Sequence, residues 1–501
     1  MSEISIQNLS FTHEGSFEPV FTDVSFRFDT AWKLGLTGRN GRGKTTLLRL
    51  LQGAYPYEGT ISAPGVRFAY FPYAVDAPAR TALAVLRAQC PGREDWELER
   101  ELSLLALRED ALARPFARLS QGEQTKVLLA AMFLRADAYL LIDEPTNHLD
   151  AAARQAVAAY LRRKRGYLLV SHDRDFLDGC VDHILSINRS DIQVMAGNFS
   201  VWQRETFQRE QSELARQARL RQEVRRLQDA AAQTTRWSDA VERTKYNTKN
   251  SGLRVDRGYI GHKSAKMMAR ARQLERRRQE AAAEKAALLQ NRETAAPLRL
   301  TPLAFHTERL VEVRGAAVSY GGQAVLQGVD LTVRQGERVA LTGPNGCGKT
   351  TLLRLILGEL PDGAGAVARS GRLILSQIPQ GAGEVRGSLE AFLEAGGVDR
   401  SRALAVLRKL GFERAQFELP LERYSAGQKK KLLLTRSLLT PAHLYVWDEP
   451  LNYIDVVSRM QIEELILESR PTLLFVEHDQ AFCRRIATRT VSLAPRAEAD
   501  A

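Results

Sequence analysis

The chain has 501 residues, 44% apolar and 26% charged. That suits about two to four globular domains and excludes wholesale disorder, collagen-like and mucin-like chains. The net charge of +12 is uneven: residues 201–300 hold 23 Lys and Arg against 12 Asp and Glu, and the remaining residues are almost balanced. No apolar run approaches the roughly 18–20 residues of a membrane span. Met1 to Gln7 lacks the basic and apolar regions of a secretory leader. Cys90, Cys180, Cys347 and Cys483 are too scattered for a disulfide framework or a zinc site, so a reducing cytosol is expected.

From the N-terminus, Trp32–Thr37 is an apolar run that enters Gly38-Arg-Asn-Gly-Arg-Gly-Lys-Thr-Thr46, and Leu47–Leu51 reads as the helix that follows. Glycines at this spacing let backbone N–H groups converge on phosphate oxygens at a helix N-terminus. Lys44 would reach the outer phosphates and Thr45 would ligate magnesium. Ser120-Gln-Gly122 alone is a helix N-cap. Ala138–Ile142 is a buried-strand run ending at Asp143 and Glu144, which places one carboxylate beside the metal and a second as general base for water. Tyr167–Val170 is another strand, followed by His172, a candidate γ-phosphate contact. Residues 203–243 and 262–292 favour helix and enclose a Gly-rich stretch, so the basic segment reads as a helical hairpin with a thin apolar seam at Leu214, Val224, Leu227 and Leu274.

All four motifs then return. Lys44, Ser120 and Asp143 recur as Lys349, Ser425 and Asp448 at an offset of 305, and His172 recurs as His478 at 306. The second loop runs Gly343-Pro-Asn-Gly-Cys-Gly-Lys-Thr-Thr351, including Pro344, Asn345, Gly346, Cys347, Gly348 and Thr350. Gly427 and Glu449 complete the second set. Two homologous α/β domains follow, 1–200 and 301–495, each a largely parallel sheet with helices on both faces, separated by 201–300 and followed by a polar tail at 496–501. Ligands on such sheets lie at the carboxyl ends of the strands, where all these polar motifs fall.

The serines at 120 and 425, between phosphate loop and Asp-Glu pair, resemble the signature of the ATP-binding-cassette superfamily, over both halves. The resemblance implies two cassettes closing head to tail within one chain, with ATP and Mg2+ at each site. Site one would use the loop of Gly38, Arg39, Asn40, Gly41, Arg42, Gly43, Lys44, Thr45 and Thr46 with Asp143, Glu144 and His172, facing Ser425 and Gly427. Site two would use Gly343 to Thr351 with Tyr320, Gln380, Asp448, Glu449 and His478, facing Ser120 and Gly122.

Joined cassettes with a basic hairpin resemble the ABC-F family of ribosome-associated ATPases. The residues that carry this are Asp143-Glu-Pro-Thr-Asn-His-Leu-Asp150 and Gly197-Asn-Phe-Ser-Val-Trp202, which leads into the hairpin. Trp96-Glu-Leu-Glu-Arg-Glu-Leu102, Trp447-Asp-Glu-Pro-Leu-Asn-Tyr-Ile-Asp455 and Asp256-Arg-Gly-Tyr-Ile-Gly261 are similar to the Lsa-type antibiotic-resistance members. That likeness implies a cytoplasmic monomer, without a membrane partner, that protects the bacterial ribosome from lincosamides, pleuromutilins and streptogramin A. Its hairpin tip would lie near peptidyl-site tRNA and rRNA, with Lys245, Tyr246, Lys249, Arg254, Arg257, Tyr259, His262 and Lys263 as the RNA-facing candidates. Two other readings stay open: a translation factor of the same family that relieves stalling without resistance, and an ATPase that binds branched DNA.

The halves differ at three motif positions. Tyr73 stands where the second half has Gln380, His13 aligns with Tyr320, and Tyr424 replaces the leucine found in the first signature at Leu119. Without an amide at 73, site one is expected to hydrolyse ATP more slowly than site two.

Overall fold

A computed structural model describes residues 2–200 and 300–493, except short stretches at 16–18, 76–77, 136–137, 148, 189–190, 321–322 and 361–363, and only scattered positions between 201 and 277. By its contacts the chain divides into Met1–Ser200 with Ala295–Ala501, and Val201–Thr294.

In the first unit each half is built on a mainly parallel sheet. The first runs in the order Arg67–Phe71, Ala138–Asp143, Tyr167–Val170, Lys33–Gly38, His183–Ile187 and Ile192–Ala196, all parallel but the last pair. The second repeats it as Leu375–Ile378, Leu444–Asp448, Leu473–Val476, Arg338–Thr342 and Arg489–Ser492. Central strands are apolar throughout because helices cover both faces. Tyr167–Val170 is buried at all four residues, and each such side chain contributes about 1.5–3 kcal/mol.

The apolar runs placed the strands Lys33–Gly38, Ala138–Asp143 and Tyr167–Val170 to within a residue, and the first helix begins at Lys44, ahead of the apolar run that announced it. Each half also carries a three-stranded antiparallel sheet that the apolar runs did not signal. One is Phe21–Asp29, Glu3–Phe11 and Glu58–Ser62; the other is Gln323–Arg334, Arg309–Tyr320 and Ala364–Arg369. Their burial alternates, since one face packs on the core and the other meets solvent.

Polar motif residues start the helices. Ser120 and Ser425 form reciprocal capping boxes with Glu123 and Gln428. Asp150, Asp173, Asp455 and Asp479 accept from the backbone N–H groups of Ala153, Phe176, Ser458 and Phe482.

Gly166, just before the central strand Tyr167–Val170, lies so close to Thr30 that a Cβ there would sit 1.6 Å from the Thr30 carbonyl oxygen. A backbone oxygen cannot step aside as a side chain can. Gly166→Ala is therefore expected to destabilise the first half by about 3 kcal/mol or more, the upper part of the overpacking range, read as a lowered urea midpoint of unfolding.

In the second unit, 201–209 is helical, as are the described positions between 211 and 233 and between 266 and 277. The proposed seam residues Leu214, Val224, Leu227 and Leu274 lie outside the described residues, as do all the tip candidates from Lys245 to Lys263. Among the described residues, no helix is long and apolar enough to cross a membrane.

Candidate nucleotide sites

The two phosphate loops share one geometry. Gly38, Gly41 and Gly43 have φ of 153°, 84° and 86°, and Gly343, Gly346 and Gly348 have 145°, 81° and 93°. Side chains other than glycine rarely adopt such values. Beside Gly43 and Gly348 a Cβ would also strike neighbouring side chains at 2.5 Å, so glycine is required there on two counts. Lys44 Nζ donates to the carbonyls of Gly38 at 2.8 Å and Arg39 at 3.1 Å; Lys349 Nζ donates to those of Gly343 and Pro344, both at 2.8 Å. Both amines are thus held over the loop that a triphosphate would enter. Burial lowers the Lys44 amine below the ordinary lysine range, against the pull of Asp455 and Glu144.

Thr45 Oγ1 donates to Asp143 Oδ2 at 2.8 Å, and Thr350 Oγ1 to Asp448 Oδ2 at 2.7 Å. In the second half Asp448 Oδ1 is buried without a hydrogen-bond partner, and burial pushes this carboxyl up to about 6. An unpartnered buried carboxylate oxygen beside a threonine hydroxyl fits a hard, hydrated magnesium ion. Among the described residues no group of three His, Cys, Asp or Glu could hold a metal by itself. The ion would therefore share phosphate oxygens with Thr45 and Asp143, or with Thr350 and Asp448, and it would supply charge neutralisation at the phosphates.

Glu144 and Glu449 adopt left-handed backbone, φ 50° and 47°, and each N–H bonds to the neighbouring strand end, Val170 or Val476, at 2.9 Å. This turn aims both side chains at the carboxyl ends of the strands. His172 Nε2 lies 3.2 Å from Glu144 Oε1, and His478 Nε2 lies 3.5 Å from Glu449 Oε1. Beyond that the two carboxyls differ. Gln380 Nε2 donates to Glu449 Oε1 at 2.9 Å, and Asn452 donates to its other oxygen. Burial raises the Glu449 carboxyl, but the His478 and Gln380 contacts outweigh it and hold the group below its ordinary value. Glu144 Oε1 is buried without a hydrogen bond, and burial together with Asp143 pushes that carboxyl up to about 8. Burial, with Lys44 and Arg459 nearby, holds His172 well below the usual histidine range.

Tyr73 does not replace the missing amide. Its hydroxyl is buried without a partner and its ring packs 5.8 Å from the Arg135 guanidinium. The expectation that Gln380 ligates magnesium needs qualification, because its amide nitrogen is engaged by Glu449 and only its amide oxygen could turn to a metal. Tyr320 is half exposed and lines the second cavity, whereas His13 packs edge-on against Phe11 at 4.8 Å and approaches Thr46 Oγ1 at 3.3 Å.

The halves meet head to tail. A cavity of about 1060 Å³ has Asn345, Lys349, Thr350 and His478 on one wall and Ser120 and Gly122 on the other. At the first site the facing elements touch. Asn40 Nδ2 donates to the Tyr453 carbonyl at 2.6 Å, and a Cβ on Gly427 would stand 3.1 Å from Asn40 Nδ2. Arg39 extends toward Gly411 of the second half, so the phosphate-facing group it offers is its backbone N–H.

Residues the motifs did not flag bind the halves together. Arg174 pairs with Glu463, which also accepts from Arg485 Nη1 at 2.8 Å; Arg484 Nη2 reaches both oxygens of Asp175 at 2.9 Å. The repeat puts Gln480 in the place of Arg174 and Ala158 in the place of Glu463. There the structure has a cavity of about 740 Å³ instead of an ion pair. Only the mismatch between repeats could have signalled this.

This fold and these paired sites define a tandem nucleotide-hydrolysing protein. The family model described as ABC transporter matches residues 21–147 and 326–452, and the chain belongs to that family, the ATP-binding-cassette ATPases. It is 30% identical to ATP-binding protein Uup of Caulobacter vibrioides over 95% of this chain and 75% of that one. It is 29% identical to Ribosome protection protein VmlR of Bacillus subtilis over 96% of this chain and 85% of that one. In fold it is similar to the archaeal ribosome recycling factor aABCE1, solved in complex with ribosomal stalk protein aP1, with a TM-score of 0.60 at 20% identity over 94% of this chain and 84% of that chain.

Proposed function

We propose that this ATPase is an ABC-F protein that binds the bacterial ribosome in its ATP-closed state, excludes antibiotics of the lincosamide, pleuromutilin and streptogramin A class from the peptidyl-transferase centre, and leaves on hydrolysis. The observation that carries the reading is the pairing of both cassettes within one chain around a segment of net charge +11. Such a segment suits RNA phosphates. The likeness to VmlR along nearly the whole chain supports it.

In this reading, the backbone N–H groups of Gly38–Thr46 and Gly343–Thr351 cradle the phosphates, and Lys44 and Lys349 neutralise them. Glu144 and Glu449 accept a proton from the attacking water, and His172 and His478 orient the γ-phosphate. Ser120 and Gly122, or Ser425 and Gly427, close over the nucleotide from the facing cassette. Closure holds the chain in its ribosome-binding form, and loss of the γ-phosphate removes the clamp. The hairpin tip, Lys245 to Lys263, meets peptidyl-site tRNA and rRNA.

The test is co-sedimentation of the Glu144→Gln/Glu449→Gln protein with ribosomes at two salt concentrations. Pelleting that needs ATP and weakens at high salt is expected, because several Lys and Arg displace counterions from RNA. Normal ATP binding with the protein left in the supernatant would end the ribosome reading. Drug susceptibility of cells expressing the unmodified chain then separates resistance from a general translation role.

A further inference from the structure

We infer that Tyr70 is a positioning residue of the first nucleotide site: through its hydroxyl it holds Asp143 aimed at the magnesium position. The inference rests on the ATPase sites alone and is independent of the ribosome. Tyr70 lies in strand Arg67–Phe71, paired in register with Leu141, two residues before Asp143. Its hydroxyl donates to Asp143 Oδ2 at 2.8 Å, the same oxygen that accepts from Thr45 Oγ1. Arg49, from the helix that follows the phosphate loop, lays its guanidinium 3.8 Å above the Tyr70 ring. A cation over the face fixes the ring, and the nearby positive charge makes the phenol a stronger donor. Phosphate loop, ring and metal carboxylate are thus tied into one chain of contacts.

The second half provides an internal control. Gln377 pairs with Val446 in the matching register, so it occupies the place of Tyr70. Asp448 accepts Thr350 on one oxygen and its other oxygen is unpartnered. Arg354, the counterpart of Arg49, turns to Glu359 at 3.6 Å. The Arg–Tyr–Asp chain therefore belongs to the first site alone. A carboxylate held by a phenol and a threonine keeps its orientation when metal and nucleotide leave. Groups bonded to a metal ligand set its orientation, and their loss typically costs about 10–100-fold in metal affinity.

The test uses the full chain carrying Lys349→Ala, which removes the second phosphate-binding lysine so that Mn2+ with ATP loads the first site. Mn2+ affinity is read by titration of its electron paramagnetic resonance signal, and metal-free ATP affinity is read separately. Tyr70→Phe is expected to weaken Mn2+ binding about tenfold with metal-free ATP binding unchanged. Tyr70→Gln, which installs the residue of the second half, should act in the same direction. Arg49→Gln, which leaves Tyr70 in place, should give a smaller loss. Unchanged or tighter Mn2+ binding in Tyr70→Phe would overturn the assignment. An equal loss of metal-free ATP binding would also overturn it, since that marks general damage to the loop.

Discussion

Glu449→Gln is expected to lower steady-state ATP turnover by roughly 10²–10⁴-fold, the usual cost of removing a general base, while Glu144→Gln lowers it by less than about tenfold. The two glutamates share backbone conformation and strand position, but not surroundings. Glu449 is held by two amide donors and stays ionised across the neutral range. Glu144 lacks such amide donors, with His172 as the neighbour of its buried Oε1, and its carboxyl is pushed up to about 8, so at neutral pH a smaller share of it is ionised and able to take a proton from water. The residual turnover of Glu449→Gln, which comes from site one, should therefore rise between pH 7 and 9 as Glu144 ionises. The residual turnover of Glu144→Gln should show no such rise. Equal losses from the two substitutions in single-turnover experiments would remove the asymmetry.

The second large effect lies at the contact between the halves. Glu463 is fully buried and faces Arg174 from the other half, with Arg485 on its second side. Glu463→Ala leaves the buried Arg174 cation with Asp479, 3.5 Å away and already committed to Arg459, and with the exposed Asp175, which is bonded to Arg484. Breaking a buried pair from one side costs about 3–5 kcal/mol, because a desolvated charge loses its partner. The melting temperature of the nucleotide-free protein should fall on the order of 10 °C. Replacing both members with apolar residues, as in Arg174→Met/Glu463→Leu, should recover most of this, since no buried charge is then stranded. A drop of only a degree or two in Glu463→Ala would mean the halves are held by other contacts. Equal losses in the single and double variants would mean that packing, not charge, is what fails.

Much of the candidate site was legible in the residue order because its chemistry is local. A phosphate loop needs three positive-φ glycines, a lysine and a threonine within a few residues, and that pattern is written contiguously at Gly38–Thr45 and again at Gly343–Thr350. The strand ends carrying Asp143 and Asp448 were legible because both faces of a central parallel strand are buried, which leaves an unbroken apolar run before the first polar residue. The antiparallel sheets were not, because a half-exposed strand with bulges, such as Glu3–Phe11, has no continuous run and only broken alternation. Tyr73 was noticed as a departure, but its ring packs beside Arg135, 62 positions away in the chain.

Repetition in register and glycine-dependent loop geometry are properties of neighbouring residues, so the residue order alone establishes two nucleotide-hydrolysing cassettes around a basic segment. Beyond the departures at Tyr73, His13 and Tyr424, the differences between the halves come from contacts that form only in the folded chain. The bond from Tyr70 to Asp143, the Gln380 amide that holds Glu449, and the Arg174–Glu463 pair facing a cavity at its counterpart all join residues dozens to hundreds of positions apart. Hydrogen bonds and buried charges act over a few ångströms of space, and distance along the chain carries no trace of which side chains will meet.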